Sequence, residues 1–320
     1  VNDLDHPGPA DHADQEGWPS VGVVVATHNR PQLMRRALAS ILEQDYPGQI
    51  TVRLVFDRSE PELDLAHVTD TRTVLVGVNE RSPGLAGARN TGIEALDTEL
   101  VAFCDDDDTW LPTKLRLQVQ RLRDVPGSQF CTTAMRVDWT ATGTQTDRLA
   151  RRSQVTVADL TRSRMAMLHS SSFLFDREAM IDGFGMVDER LPGSMAEDWD
   201  LLLRAARRHP IEHIDTPLVL ITWGASSYFN LAWRDKNLAH KWLIEHHPEI
   251  GADPVASALM QSKLAFGHAA LGERRVAGRH LSRALRQNWR EPRTYLAALV
   301  MAGFPAGVIQ GELNKRGRGI

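Results

Sequence analysis

The chain has 320 residues, 42% hydrophobic and 24% charged, with a formal net charge of −4. That is enough material for one large domain or two with a sizeable core, and it excludes a fibre. The negative balance excludes a nucleic-acid binder that relies on bulk positive charge, so no nucleic-acid partner is expected.

The N-terminal stretch VNDLDHPGPADHADQEG is acidic and rich in Pro, Gly and His. It lacks the basic and apolar regions of a signal peptide and reads as a disordered tail over residues 1–18, with His6 and His12 solvated rather than metal-bound. VGVVVA (21–26) is a continuous β-branched run, the pattern of a strand buried on both faces. THNRPQLMRRALASILEQ then reads as a helix, with Met34, Ala37, Leu38 and Ile41 on one face. Thr27 or Asn29 suits its cap and Pro31 its first turn.

Strand patterns recur at 51–56, 73–78 and 100–104, separated by a loop and helix over 84–96. Each strand is followed by a polar group: Thr27 and Asn29, Asp57, Asn79, and Asp105. Alternation of this kind predicts an α/β protein with a doubly wound, mostly parallel sheet, whose carboxyl edge is the ligand crevice. Beyond it come a helix at 112–125, strands at 129–139 and 171–175 with a polar turn TATGTQTD between them, a helix at 197–208 and a strand at 218–223. From about residue 230 the pattern is helical only. No apolar run reaches the roughly 18 residues needed to span a bilayer. Cys104 and Cys131 form no disulfide framework and no zinc spacing, which suits a reducing cytoplasm.

Four consecutive carboxylates, Asp105 to Asp108, end the strand at 100–104. Such a cluster is either a solvated loop capping the next helix or the seat of a cation; its place at the crevice, with Asp57 at a neighbouring strand end, favours the cation. Hard oxygen ligands suit a divalent ion that also carries substrate phosphates. The first strand-to-helix turn, ATHNRP, has no Gly-x-Gly-x-x-Gly, and the chain has no P-loop, so a dinucleotide enzyme and a P-loop ATPase are set aside.

The segments VGVVVATHNRPQLMRRALASILEQDYP, VFDRS, GLAGARNTGIEAL, VAFCDDDDTWLPTKL and MAEDWDLLLRAAR, in that order, resemble the family 2 nucleotide-sugar glycosyltransferases. The resemblance covers roughly residues 20–225. It implies a GT-A fold and inverting transfer of a sugar from a nucleoside diphosphate, UDP-type favoured, with Mg2+ or Mn2+. The resemblance makes Asp107 the metal-binding carboxylate and gives Asp105 and Asp106 the ribose or neighbouring positions. It places Arg89 on phosphate, Asp57 on the imide N–H of the base, and Thr27, Asn29 and Arg30 around base and ribose, although Asn29 reads equally well as a helix cap. Asp198 matches the general base, with Glu197 as the alternative base or its orienter.

Two departures stand out. Arg58 occupies a position where the family usually has a second acid, and TWGASS offers Trp223 and Ser226 where many members have a histidine. His169 is a substitute ligand in that case, against the plainer reading of a buried, hydrogen-bonded histidine. The resemblance divides the chain into a catalytic domain over 19–228, with a nucleotide half at 19–125 and an acceptor half at 126–228, and a helical region at 229–320.

In that last region Arg274, Arg275, Arg279, Arg283, Arg286, Arg290 and Arg293 recur near helical spacing. They form a basic amphipathic pattern that either packs on the catalytic domain or touches an anionic membrane surface. A lipid-linked acceptor and a cytoplasmic location fit the second case. Two rival readings are a haloacid dehalogenase-type phosphohydrolase, with Asp105 as nucleophile and Asp107 as acid/base, and a non-catalytic sugar-nucleotide-binding module.

Overall fold

The computed structural model describes residues 17–140, 143–223 and 232–315. The tail with His6 and His12, and Ser226, lie outside the described residues. In chain order the first half holds β1 (Val21–Thr27), α1 (Pro31–Leu42), β2 (Ile50–Phe56), β3 (His67–Val68), β4 (Arg72–Val78), α2 (Leu85–Glu94) and β5 (Leu100–Phe103). Then follow β6 (Thr109–Trp110), α3 (Lys114–Asp124), β7 (Phe130–Trp139), β8 (Thr144–Arg148), β9 (Gln154–Val155), α4 (Val157–Arg162), β10 (Leu174–Asp176), α5 (Glu197–Arg208) and β11 (Ile211–Trp223). The remaining elements are α6 (Trp233–His246), α7 (Pro248–Ala252), α8 (Pro254–Ala270), α9 (Arg274–Gln287), α10 (Pro292–Met301) and α11 (Ala306–Lys315).

One sheet runs in the order β3-β4-β2-β1-β5-β10-β7-β11-β6. Its nucleotide-side strands β4, β2, β1 and β5 are parallel, as the alternation of strand and helix predicts. β10 is antiparallel to both β5 and β7, while β11 runs parallel to β7. The mixed sheet with helices on both faces and helices alone at the C-terminal end is the GT-A arrangement expected from the sequence. No helix among the described residues is long and apolar enough to cross a membrane.

β1 shows why a continuous apolar run makes a central strand. Val21, Val23 and Val25 enter one core with Met34, Ala37 and Ile41 of α1, whereas Val24 enters the opposite core with Ala88 and Ile93 of α2 and Trp199 of α5. The strand's period of two thus feeds both faces. α2 approaches β1 so closely that a Cβ on Gly92 would sit 2.3 Å from Val24 Cγ1.

Several elements differ from expectation for identifiable reasons. Thr27 ends β1 rather than capping a helix, and α1 starts at Pro31 with Arg30 in the cap position and no side-chain cap. The cap reading of Asn29 therefore falls: its amide meets the His28 ring at 3.4 Å. The end of the expected polar turn is strand β8, paired antiparallel to β7 from Met135↔Arg148 to Trp139↔Thr144; Ala141 and Thr142 lie outside the described residues. Residues 171 and 172, read as the start of a strand, belong to a 3-10 turn over Ser170–Ser172 before β10. β11 begins at Ile211, well before the apolar run, because Arg121 and Gln154 pair with the buried Glu212 and let a polar segment sit inside. The basic helix α9 packs its apolar side, Ala277 and Leu281, into a cluster with Ala265 and Ala269 of α8 and Ala297 of α10, a core of the helical region's own.

Replacing Gly92 with Ala forces a methyl into Val24. The expected cost is about 1–3 kcal/mol of stability, read as a lower urea midpoint with unchanged slope.

Candidate active site

Each parallel strand delivers its polar residue to the carboxyl edge of the sheet. At the end of β2, Asp57 is 6% exposed and heavily hydrogen-bonded. It accepts from Asn79 Nδ2 at 2.9 Å, from the Gly84 amide at 3.1 Å and from Arg58 Nε at 3.0 Å. Burial pushes this carboxyl up, but those donors outweigh it and hold the group below the usual range. Gly84, with φ of +115°, turns the chain so that its amide reaches Asp57. Arg58, the departure noted in the sequence, faces Asp57, and its own φ of +48° and that of Asn29, +53°, put two side-chain-bearing residues in the left-handed region at this edge. Asn29 carries no contact to the acidic cluster.

The four acids after β5 do not behave alike. Thr27 donates to Asp106 at 2.8 Å, and one nitrogen of Arg30 reaches Asp106 at 3.1 Å and Asp107 at 3.0 Å. Asp105 is bonded by Arg89 at 2.6 Å and by Ser170 Oγ at 3.1 Å. Burial alone would raise Asp105, yet the Arg89 charge and His169 hold it low. The other three are all raised. Burial, with the charge of Asp105 added, lifts Asp106 even against Thr27 and Arg30, and burial with the neighbouring Asp105 and Asp106 lifts Asp107. Asp108 is raised well above the carboxylate range by burial and by Asp105 and Asp107. Its Oδ2 accepts from Ser171 Oγ at 2.5 Å.

The cluster is therefore short of positive charge despite Arg30 and Arg89, and its donors are hard oxygens. A divalent cation of the Mg2+ or Mn2+ type fits it on both counts. Asp107, with 36% of its side chain exposed, is the one of the four open enough to be held only by Arg30. Asp105, Asp108 and His169 form a second grouping, with one ligand atom from each all within 4.8 Å of one another. The His169 ring lies 3.3 Å from Asp108. Burial lowers its pKa.

Arg89 connects this loop to α5. It is 2% exposed and donates to Asp105, to Ser170 Oγ at 2.9 Å and to Glu197 at 2.9 Å. A phosphate contact is what the resemblance implies; here the guanidinium is engaged by two carboxylates. Glu197 and Asp198 open α5 and are 7% and 8% exposed. Burial and the adjacent Asp198 charge push Glu197 up to about 7, against the pull of Arg89. Asp198 is held differently, by Arg164 Nη2 at 2.5 Å and by the Trp199 amide at 2.7 Å. The turn before α5 carries Gly193, Ser194 and Ala196 at φ of +62°, +50° and +62°. For the two residues with side chains this costs about 1–3 kcal/mol each, strain that the packed surroundings hold in place. Trp199 and Asp200 point away from the site, as helical spacing predicts. Trp199 donates to the Leu160 carbonyl at 2.9 Å and Asp200 meets His247 at 2.8 Å.

The geometry thus brings Thr27, Arg30, Asp106 and Asp107 into one group and Asp105, Arg89 and Glu197 into a second joined to it, with Asp198 adjoining. Asp57 forms a separate hydrogen-bonded group with Asn79, Gly84 and Arg58. The serines at 170–172 and Arg164 escape sequence reasoning. A run of serines after His169 is a faint signal for the first; nothing in TRSRM marks the second.

A mostly parallel nucleotide half, an acidic loop at its edge and a Glu-Asp helix start facing it define a GT-A glycosyltransferase architecture. Residues 22–184 match the family model "Glycosyl transferase family 2", half of the chain, and the chain belongs to that family. The Escherichia coli UDP-Glc:alpha-D-GlcNAc-diphosphoundecaprenol beta-1,3-glucosyltransferase WfgD is 28% identical over 103 residues, 32% of this chain and 40% of that protein. The Rhizobium meliloti (strain 1021) succinoglycan biosynthesis protein ExoO is 36% identical over 115 residues, 35% of this chain and 32% of its own length. The chain therefore spans well under half of these curated relatives.

Among solved structures, Staphylococcus aureus TarS 1–349 in complex with UDP-GlcNAc superposes with a TM-score of 0.60 at 16% identity, covering 93% of this chain and 92% of TarS 1–349. The Pyrobaculum calidifontis mannosyltransferase PcManGT, in complex with GDP-Man and Mn2+, superposes at 0.53 with 19% identity, covering 93% and 88%. At these identities the likeness is one of fold.

The raised Glu197 makes a signed prediction. Its contribution to stability is complete below the ordinary glutamate range of about 4.3 and is lost as pH rises through about 7. Glu197→Gln should flatten the urea-stability profile between those pH values relative to wild type. An unchanged slope would place the titration elsewhere.

Proposed function

We propose that this protein is a metal-dependent, inverting glycosyltransferase that moves a sugar from a UDP-type donor to an acceptor hydroxyl in polysaccharide or glycolipid assembly. The observation that carries the reading is the Asp105–Arg89–Glu197 bridge, which holds the cation-hungry loop and the Glu-Asp helix start within one side-chain length. Family membership and the likeness to structures holding UDP-GlcNAc, and GDP-Man with Mn2+, support it. In this reading the catalytic unit is residues 19–228, with a nucleotide half at 19–125 and an acceptor half at 126–228.

Asp57 accepts the base imide N–H, and Thr27, Asn29, Arg30 and Asp106 line base and ribose. Asp107 holds the dication, with Asp105 beside it. When bound, Mg2+ or Mn2+ supplies Lewis-acid stabilisation of the charge gathering on the leaving diphosphate. Asp198 takes the proton of the acceptor hydroxyl as its oxygen bonds to the anomeric carbon and the bond from that carbon to the diphosphate oxygen breaks from the opposite face. Arg164 orients Asp198 through its 2.5 Å contact, while Arg89 and Glu197 are positioning residues. The phosphohydrolase alternative is disfavoured because that family carries its motif on the first strand, whereas the acidic loop here follows β5.

Release of UDP from UDP-glucose or UDP-GlcNAc should require Mn2+ or Mg2+ and fall by about two orders of magnitude or more in Asp107→Asn. Asp198→Asn should keep UDP affinity and lose turnover by about 10²–10⁴. Hydrolysis of p-nitrophenyl phosphate faster than UDP release would contradict the reading.

A lipid-linked acceptor places the enzyme at a cytoplasmic membrane face. The C-terminal helices favour this, since Arg274, Arg275, Arg279, Arg283 and Arg286 of α9 are exposed, as are Trp289, Tyr295 and Phe304 at 63%, 50% and 58%. The protein should sediment with phosphatidylglycerol vesicles, be released by high salt, and ignore phosphatidylcholine vesicles.

A further inference from the structure

The first turn of α5 carries three acids, Glu197, Asp198 and Asp200, and its cap position, Ala196, supplies no side-chain bond. Like charges in one turn repel one another, and the turn that precedes them is strained, so the place of α5 has to be set by groups from other elements. Arg89 of α2 takes Glu197, and Arg164 takes Asp198. Asp200 is fully buried on the side away from the site, and the reaction described above gives it no role.

The partner of Asp200 comes from the helical region. His247, at the junction of α6 and α7, is buried, with Nε2 2.8 Å from Asp200 Oδ1 and Nδ1 2.7 Å from Arg207 Nη2. A guanidinium nitrogen only donates, so Nδ1 accepts and the ring proton sits on Nε2, donated to Asp200. The other Asp200 oxygen accepts from Arg204 Nε at 2.9 Å and Nη2 at 2.8 Å. Arg204 in turn donates to the carbonyls of Gly185 at 2.7 Å and Met186 at 2.9 Å, so Asp200 joins α5 to the segment ahead of it as well as to the α6–α7 junction. Burial pushes Asp200 up, but the donors from His247 and Arg204 outweigh it and hold the group below the usual carboxylate range. α6 holds the strained turn too. Leu191 and Met195 are buried against Ala239, with Ala232 and Trp242 packed beside them, and a Cβ on Gly193 would sit 3.6 Å from Asp235 Cβ.

We infer that His247 is a positioning residue for the reaction: its hydrogen bond to Asp200 sets where the first turn of α5 presents Asp198 to the acceptor hydroxyl. This rests on the glycosyl-transfer reading of Asp198. A helix rises about 1.5 Å per residue, so Asp200 sits about 3 Å along the axis from Asp198 and a shift at one is passed to the other. Misplacing a reacting group by about 1 Å costs on the order of a hundredfold in rate. The unit over 19–228 is then completed by a residue from beyond it.

A pair of amide variants tests this. His247→Gln keeps a donor where Nε2 lies, whereas His247→Asn is too short to reach Asp200 and keeps only an acceptor facing Arg207. Both are neutral and polar, so a merely structural role would move both alike. With UDP release from UDP-glucose or UDP-GlcNAc in Mn2+ as the readout, His247→Asn should lower kcat by about ten- to a hundredfold while KM for the sugar nucleotide and Kd for UDP stay within about twofold. His247→Gln should bring kcat back to within about threefold of wild type. The inference is overturned if His247→Asn turns over as wild type does, if His247→Gln loses as much as His247→Asn, or if UDP affinity falls together with turnover. Wild type that binds UDP yet releases none from either sugar nucleotide would instead overturn the glycosyl-transfer reading.

Discussion

The buried guanidinium of Arg89 is the interaction on which the site depends. It lies in α2, buried from Ala86 to Ile93, and joins a carboxylate from the β5 loop to one from the start of α5. Removing such a charge leaves two buried acids uncompensated, a loss of about 3–5 kcal/mol in comparable networks. The bridge also explains why Asp105 is low while its neighbours are raised: one arginine is enough to satisfy one acid and to steady Glu197, and no more. The remaining charge deficit falls on Asp106, Asp107 and Asp108, where Arg30 is the other cation within reach.

That deficit links stability to function. A loop that carries more negative charge than its own protein neutralises is unfavourable when empty and favourable when a dication and a diphosphate arrive together, since the ion then serves both partners. Strain in the turn before α5 and at Asn29 and Arg58 belongs to the same pattern. Positions near a site keep conformations and charges that an isolated fold would avoid.

Much of this was legible in the chain. β1 and β5 are apolar because both of their faces are covered, and β2 and β4 keep their apolar runs beside them, so the strands and their polar carboxyl ends can be read directly. α1 and α5 declare themselves by periodicity. β8 could not be read, because TQTDR has an exposed or half-exposed surface throughout and exists as a strand only by pairing with β7. The first half of β11 was hidden by Glu212 and His213, whose burial depends on partners distant in sequence, and by the half-buried Asp215. In the site, residue types were legible but commitments were not. Arg89 looked like a phosphate ligand until its contact with Glu197, 108 residues away, showed it already engaged. Arg164 had no periodic or motif signal, and its place beside Asp198 is purely a product of the fold.

The central claim is that the acidic loop after β5 seats one dication that carries a nucleoside diphosphate. Paramagnetic resonance of Mn2+ titrated into the protein tests it most directly. The account predicts weak Mn2+ binding alone, stoichiometric tight binding of one ion per chain once UDP is added, and loss of that binding in Asp107→Asn. Mn2+ that stays free in the presence of bound UDP, or UDP that binds equally well in a chelator, would contradict it.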